Sequence, residues 1–397
     1  METAHSPSPP DLSRCVRCGI CKTLCPTYAE EPAEGMGARG RVALVKGLAS
    51  GQISPSRLLN KHLYSCILCG ACSGSCPLGI DVPETVYQGR SLLRDADVRR
   101  RVLRYLTRLS VAWPDAAYRL ARMAQGTLWS FLARKGIIPE FPELQEVPFR
   151  KAEQVFKTHK KKRGRVAVFT GCSINYIFPD LGESLLNVLQ KLNYEVVLPK
   201  GEVCCGNPLR SVGLEEQAVE QAKKNYRVFS RLKVDAILSL CPTCTHTLKH
   251  EYPKLIGKGL DKAMDISVFF LDKLEQVPRF DKTAVYHDPC HLQYMLGVTK
   301  EPREIIRKAG IDLIETADPG CCGFGGLYCM SNREMSSRFL AKRGADIMAS
   351  KSDTVITSCP GCILTLGRSV KDRPVIHLIE LIEDAYCIRA DAQELLF

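Results

Sequence analysis

The sequence predicts a multidomain α and α/β protein, a helical N-terminal domain followed by two tandem α/β cysteine-rich domains, and three observations predict it. Residues 26–65 space their apolar side chains at helical intervals and not in strand alternation. Past residue 164, short β-rich runs alternate with amphipathic helical stretches, the pattern of a parallel sheet. That texture then repeats: Cys172, Cys204, Cys241 and Cys244 recur as Cys290, Cys321, Cys359 and Cys362, at offsets of 118, 117, 118 and 118 residues.

The chain has 397 residues, 45% hydrophobic and 25% charged, enough apolar material for several ordinary cores without disulfide support. Its 20 cysteines fall in tight clusters, a usage that points to metal ligation in a reducing compartment. The opening "METAHSPSPP" has neither a basic start nor an apolar stretch, so it reads as a leader and not as a signal peptide. Because no apolar run is long enough to cross a bilayer, the expected location is cytoplasmic, with any membrane contact peripheral and through a partner. The net charge of +12 concentrates at 94–110 and 157–165. Without an aromatic platform or a recognition module these runs exclude nucleic acid as a partner, and they read as a solvated helix face and a basic linker. An acidic partner or an anionic membrane surface is the alternative.

The first domain, expected over 1–90, opens with "CVRCGICKTLCP" from Cys15 and repeats the pattern as "CILCGACSGSCP" from Cys66. Three cysteines at three-residue spacing and a fourth before proline form the bacterial ferredoxin run that holds cubane [4Fe–4S] clusters. Zinc accounts for one CxxC pair, but poorly for four cysteines plus proline occurring twice. By the crossed ligation usual in two-cluster ferredoxins, one cluster takes Cys15, Cys18, Cys21 and Cys76, and the other Cys66, Cys69, Cys72 and Cys25. The helical spacing between the motifs makes the module a helical ferredoxin. Residues 91–163 continue as a helical segment and connector. Val98, Val102, Leu106 and Leu109 mark a stripe expected to enter the core, Pro114 limits that helix, and "IIPEFPELQEVPF" is the connector.

The two α/β domains are expected over 164–280 and 281–397, with strands near 165–170, 194–198 and 235–240, then 283–287, 312–316 and 353–358. Each cysteine cluster follows a strand, and open α/β sheets gather their sites at the carboxyl ends of strands. Five sulfurs therefore converge in each domain: Cys172, Cys204, Cys205, Cys241 and Cys244 in the first, Cys290, Cys321, Cys322, Cys359 and Cys362 in the second. Five exceed what a tetrahedral zinc or an ordinary cubane cluster uses. Adjacent cysteines allow one sulfur to bridge irons while the next ligates terminally, and Gly206 and Gly323 let the backbone pass close to a bulky core.

The spacings C-x31-CC-x35-CxxC and C-x30-CC-x36-CxxC resemble the cysteine-rich CCG domain of heterodisulfide reductases. With the two ferredoxin motifs, nearly the whole chain resembles the iron–sulfur subunit of glycolate oxidase, the third subunit of anaerobic glycerol-3-phosphate dehydrogenase and the cysteine-rich, ferredoxin-bearing subunit of heterodisulfide reductase. The resemblance implies one or two noncubane [4Fe–4S] clusters beside the two cubane ones. Glycolate oxidase subunits tend to have lost one cysteine of the closing CxxC, whereas both copies are complete here, which favours the disulfide-reductase reading. "CPTYAEEPAEGMGARGRVALVKG" after the first motif looks like the glycolate oxidase type.

No flavin or nicotinamide motif is evident, since "GCCGFGG" lacks the G-x-G-x-x-G spacing. The chain cannot by itself oxidise an alcohol. The reading is an electron-transfer subunit that receives electrons from an FAD-containing 2-hydroxy-acid (glycolate or lactate type) dehydrogenase partner and passes them to a membrane-associated quinone reductase or another carrier. The alternative is catalysis at the noncubane cluster, a disulfide being cleaved with His287, His291 and His246 as candidate proton donors. Structural zinc in the first copy is a third reading. Cys329 and Cys387 fall outside every set and read as buried thiols.

Overall fold

The computed structural model describes residues 14–93, 98–125, 144–150, 154–158, 161–277, 281–318 and 320–387. The leader and much of the connector, with Cys387's side chain, lie outside them.

Among the described residues, nine strands form two sheets. The first comprises β1 (Gln154–Phe156), β2 (Gly164–Val168), β3 (Tyr194–Leu198), β4 (Ala236–Ser239) and β5 (Ala263–Asp265), ordered β1-β3-β2-β4-β5. The second comprises β6 (Thr283–His287), β7 (Asp312–Ile314), β8 (Thr354–Thr357) and β9 (Val375–His377), ordered β7-β6-β8-β9. All pairings are parallel except β1 with β3, so a strand from the stretch read as connector closes the first sheet's edge. The repeat extends to hydrogen bonds: Asp235 Oδ2 accepts from Arg165 N and Asp353 Oδ2 from Thr283 N, both at 2.8 Å, pinning the central strands in register.

Helices cover these sheets because their apolar faces must be buried. Leu181, Leu185 and Leu189 of helix Pro179–Lys191 share one core with Val196, Leu238, Ile306, Ile356 and Ile379, so the two domains have a common apolar body. Each such fully buried side chain contributes about 1.5–3 kcal/mol. Asn187 Nδ2 donates to Glu383 Oε1 at 2.6 Å across the same junction.

The N-terminal region is helical, as expected. Helix Arg57–Tyr64 starts on Ser56, whose hydroxyl accepts from Leu59 N, and helix Val82–Leu92 starts on Asp81, which accepts from Glu84 N. Helix Ala38–Ala49 packs on Val82–Leu92, where Gly89 lies against Val45.

Helices Val98–Ala112 and Pro114–Ala124 correct the expected stripe. Val102 is 53% exposed and Leu106 56%, whereas Arg104 and Thr107 on the other face are buried. Periodicity found the helix but not its inward side. Arg104 donates to the carbonyls of Val212 (2.7 Å) and Leu93 (3.1 Å) and to Tyr64 Oη (2.9 Å), acceptors that an apolar side chain would leave unpaired. Among the described residues, no helix is long and apolar enough to cross a membrane.

Candidate metal centres

The two N-terminal motifs wrap their cysteines in the same backbone conformation. Gly19 and Gly70 have φ of 89° and 82°, and two residues earlier Arg17 and Leu68 have φ of 58° and 61°. A left-handed conformation at arginine or leucine is disfavoured, and persists where surroundings impose it. Such turns aim successive N–H groups into an anion-binding concavity of the kind found at iron–sulfur sites.

Each motif borders a small apolar-walled cavity. Cys15, Cys18, Cys21 and Cys76 line one together with Cys72; Cys25, Cys66, Cys69 and Cys72 line the other. The crossed sets expected from the sequence are thus brought together. Burial pushes the Cys69 thiol up to about 12 and Cys72 higher, so without a cation these sulfurs stay protonated. The "GARGR" stretch belongs to this site. Arg39 forms a bidentate pair with Glu34 and donates to Arg17 O, while buried Arg41 donates to Thr27 Oγ1 and lies 3.9 Å from Cys25 Sγ. Gly40 has no Cβ because the Glu34 carbonyl occupies its place.

At the strand ends of the first α/β domain, Cys172, Cys204, Cys205, Cys244 and Cys241 form a run of neighbouring sulfurs, each in contact with the next. Hydrogen bonds from Cys204 and Cys244 pull Cys205 down to about 5. In the second domain hydrogen bonds from Cys321 and Cys362 likewise lower Cys322, whose sulfur lies 3.3 Å from Cys362 Sγ. The doubled cysteine therefore divides its labour. The second of the pair is buried and thiolate-prone against the last cysteine of CxxC, while the first, Cys204 or Cys321, is the less buried partner. Gly206 and Gly323 follow with φ of 97° and 79°, and a Cβ on Gly323 would collide with Ser336 O. Cys290 stands slightly apart, raised by burial and then by Cys69, Cys322 and Cys359 around it.

Residues that sequence reasoning missed hold these loops. Asn225 donates to the carbonyls of Val203 and Cys204, accepts from Val203 N at 2.9 Å, and donates to Tyr252 Oη. Glu202 accepts from Thr170 Oγ1 and Gly171 N, both at 2.8 Å, and pairs with Arg150. In the second domain Arg343 donates to Asp318 O, Thr316 Oγ1, Asp346 Oδ2 and His287 Nδ1. Asn225 and Arg343 are 118 residues apart, so the repeat offset was the signal that could have found them.

The three histidines differ in placement. His287 is buried with a ring nitrogen and the Cys322 and Cys362 sulfurs all within 4.8 Å of one another. His291 Nδ1 lies 3.0 Å from Thr243 Oγ1 and 3.9 Å from Cys290 Sγ, bridging the two cysteine sites. His246 lies beside it, ring centroids 6.3 Å apart. Burial pushes His291 down to about 4 and His246 to about 2, so both are neutral at pH 7. Cys329 is half-buried and donates to Gly326 O.

The N-terminal module contacts the two α/β domains unequally. Its second loop meets the second site: Ile67 packs with Tyr328 and Phe339, with Cys69 and Cys321 at the edge of that cluster. A Cβ on Gly70 would lie 2.7 Å from Met295, and one on Gly325 2.5 Å from Ile67. The first domain instead receives helix Val82–Leu92, through Tyr87 Oη to Asn207 Oδ1 (2.7 Å) and the buried Arg210 between Glu84 and Glu251.

Anion-binding loops, four or five cysteines around each N-terminal cavity and five at each sheet rim fit iron–sulfur groups by donor chemistry. The comparisons with known proteins point the same way. The cysteine-rich domain (CCG) family model matches residues 166–249 and 284–367, and the 4Fe-4S dicluster domain model matches 11–80. Over 94% of this chain and 94% of the relative, the sequence is 25% identical to the glycolate oxidase iron-sulfur subunit of Escherichia coli. It is 29% identical to a subunit of the fumarate reductase (CoM/CoB) of Methanothermobacter marburgensis, over 94% of this chain and 72% of that one. A third relative is a subunit of the dihydromethanophenazine:CoB–CoM heterodisulfide reductase of Methanosarcina barkeri, 25% identical over 94% of both. The crystal structure of a hypothetical protein from Helicobacter pylori has a similar fold, with a TM-score of 0.51 at 9% identity over 90% of this chain and 69% of that one.

Proposed function

Because this chain has family-level similarity to the CCG and 4Fe-4S dicluster iron–sulfur proteins related to glycolate oxidase and heterodisulfide reductase subunits, we propose that it is the electron-transfer subunit of a flavin-dependent 2-hydroxy-acid dehydrogenase complex. Its partner is an FAD-containing dehydrogenase, its acceptor a quinone reductase or another carrier, and the flavin is not held by this chain. Iron–sulfur clusters, when bound, supply one-electron redox chemistry. Cys15, Cys18, Cys21 and Cys76 would hold one cubane group, Cys66, Cys69, Cys72 and Cys25 another, and the five cysteines of one or both α/β domains a noncubane one.

The observation that carries this reading is the packing of the Ile67–Cys69 loop on the Cys321 loop, where cysteines of two sulfur sites pack against one apolar cluster. Exposed Cys18 leaves the other N-terminal site open at the surface for a partner. The test is anaerobic affinity purification from the native host. Co-purification of a stoichiometric FAD protein of the 2-hydroxy-acid oxidase type is expected; its absence overturns the reading.

A second reading, disulfide cleavage of the heterodisulfide reductase type, is favoured by the Thr243–His291 contact, which links the segments that bear Cys241, Cys244 and Cys290. It predicts that the isolated, iron-loaded chain reduces a disulfide with a chemical donor. Inactivity under those conditions would reject it.

A further inference from the structure

The two cysteine-rich copies are alike in their sulfurs and differ in a buried side chain at the end of a central strand. Strand β6 ends on His287; 118 residues earlier the first copy has Phe169. Both are buried, Phe169 at 0% and His287 at 1% exposure. A second position at the same offset also differs, Asn225 in the first copy and Arg343 in the second. Asn225 turns to the backbone of Val203 and Cys204, while Arg343 Nε donates to His287 Nδ1 at 3.1 Å.

That hydrogen bond fixes the tautomer. A guanidinium has donors only and does not lose its proton in proteins, so Nδ1 must present its lone pair to it. The tautomer that accepts at Nδ1 carries its proton on Nε2. One ring nitrogen and the Cys322 and Cys362 sulfurs lie within 4.8 Å of one another, and with Nδ1 taken by Arg343 the nitrogen assigned to the sulfurs is Nε2, which carries an N–H. A sixth protein ligand is thereby disfavoured, and a hydrogen bond to thiolate is favoured. Such bonds to cluster sulfurs stabilise the more negative, reduced state and raise the reduction potential. The fixed positive charge of Arg343 behind the ring acts in the same direction.

We propose that His287 is a positioning residue, an Nε2–H donor to the Cys322 thiolate, and that with Arg343 it sets the second cysteine-rich site at a higher reduction potential than the first. The two copies are then not interchangeable: the site next to the Cys69 loop is the stronger electron acceptor. The inference rests on the reading that the second site holds an iron–sulfur group.

The test uses the full chain, loaded with iron and sulfide without oxygen, in a redox titration followed by electron paramagnetic resonance. The second site's signal is the one lost in Cys322→Ser. In His287→Phe, and in the double variant His287→Phe/Arg343→Asn that transplants the first copy's pair, iron content should stay at the wild-type level. The second-site potential should fall toward that of the first. His287→Gln restores a terminal N–H and should return the potential toward wild type, and His287→Leu provides the same contrast as phenylalanine with a smaller side chain. Loss of second-site iron in both His287→Leu and His287→Gln would make His287 a ligand and overturn the proposal. Retained iron with an unmoved potential overturns it as well. A wild-type chain with no iron at the second site overturns the underlying reading, a result distinct from the other two.

Discussion

The first and second α/β domains place the same five sulfurs on the same scaffold but support them differently. Asp235 and Asp353 clamp equivalent strands, and Cys205 and Cys322 are the thiolate-prone members of equivalent doublets. The supports diverge: neutral Asn225 and Tyr252 back the Cys204 loop of the first copy, where the Glu202–Arg150 pair holds the Thr170–Gly171 turn, whereas Arg343, His287 and Asp346 form a charged network in the second. The Cys69 loop packs against the second site. A repeat can therefore keep the atoms that hold a group while changing those that tune it.

The largest effect that sharpens this contrast is loss of a whole site. Cys322→Ser should lose the iron of the second site and leave the first, and Cys205→Ser the reverse, read as iron and sulfide per chain with the ferredoxin-type signals retained in both. If Cys205→Ser emptied both sites, the copies would be one coupled centre and the comparison would fail. Next in size are the supports. Arg343→Ala removes one partner of a buried, multiply bonded charge network and should cost about 3–5 kcal/mol. Asn225→Ala leaves buried backbone groups of Val203 and Cys204 unpaired, at about 1–3 kcal/mol. Urea denaturation of the metal-free chain measures both, and equal losses would show that the charged backing has no special weight.

The cysteine sets and six of the strands were legible because both have strong local signatures, fixed ligand spacing and a β-rich run ending at a cysteine. β1, β5 and β9 were not: each is three residues long, and "QVF", "AMD" and "VIH" become strands only by pairing with a neighbour. The stripe from Val102 to Leu106 was seen but assigned inward, because periodicity reports that a helix has two faces and says nothing about which carbonyls await Arg104. His287 was noticed as a flanking histidine and read as a proton donor. Its relation to Arg343, 56 residues away, exists only in three dimensions.

The smallest predicted effect lies at another pair of equivalent positions, where the last residue of each sheet's edge strand caps the next helix. Asp265 Oδ1 accepts from Ser267 N at 2.9 Å, and His377 Nδ1 accepts from Ile379 N at 3.2 Å. Burial raises Asp265 to about 6 and lowers His377 to about 4. Asp265 then contributes stability that is complete below its ordinary value of 3.8 and is lost as pH rises through about 6. For His377 the stability is present above its ordinary 6.5 and lost as pH falls through about 4. The two caps oppose each other between those limits. Asp265 Oδ2 is buried and finds no hydrogen-bond partner among the described residues, so ionisation there is uncompensated. Asp265→Asn keeps the acceptor for Ser267 and removes the charge. It should raise Tm at pH 7.5 by roughly 2–4 °C, the shift expected for about 1 kcal/mol in a domain of this size, and change it little at pH 4. A Tm that falls equally at both pH values would mean that the carboxylate is satisfied in solution, and that the two caps are electrostatically alike.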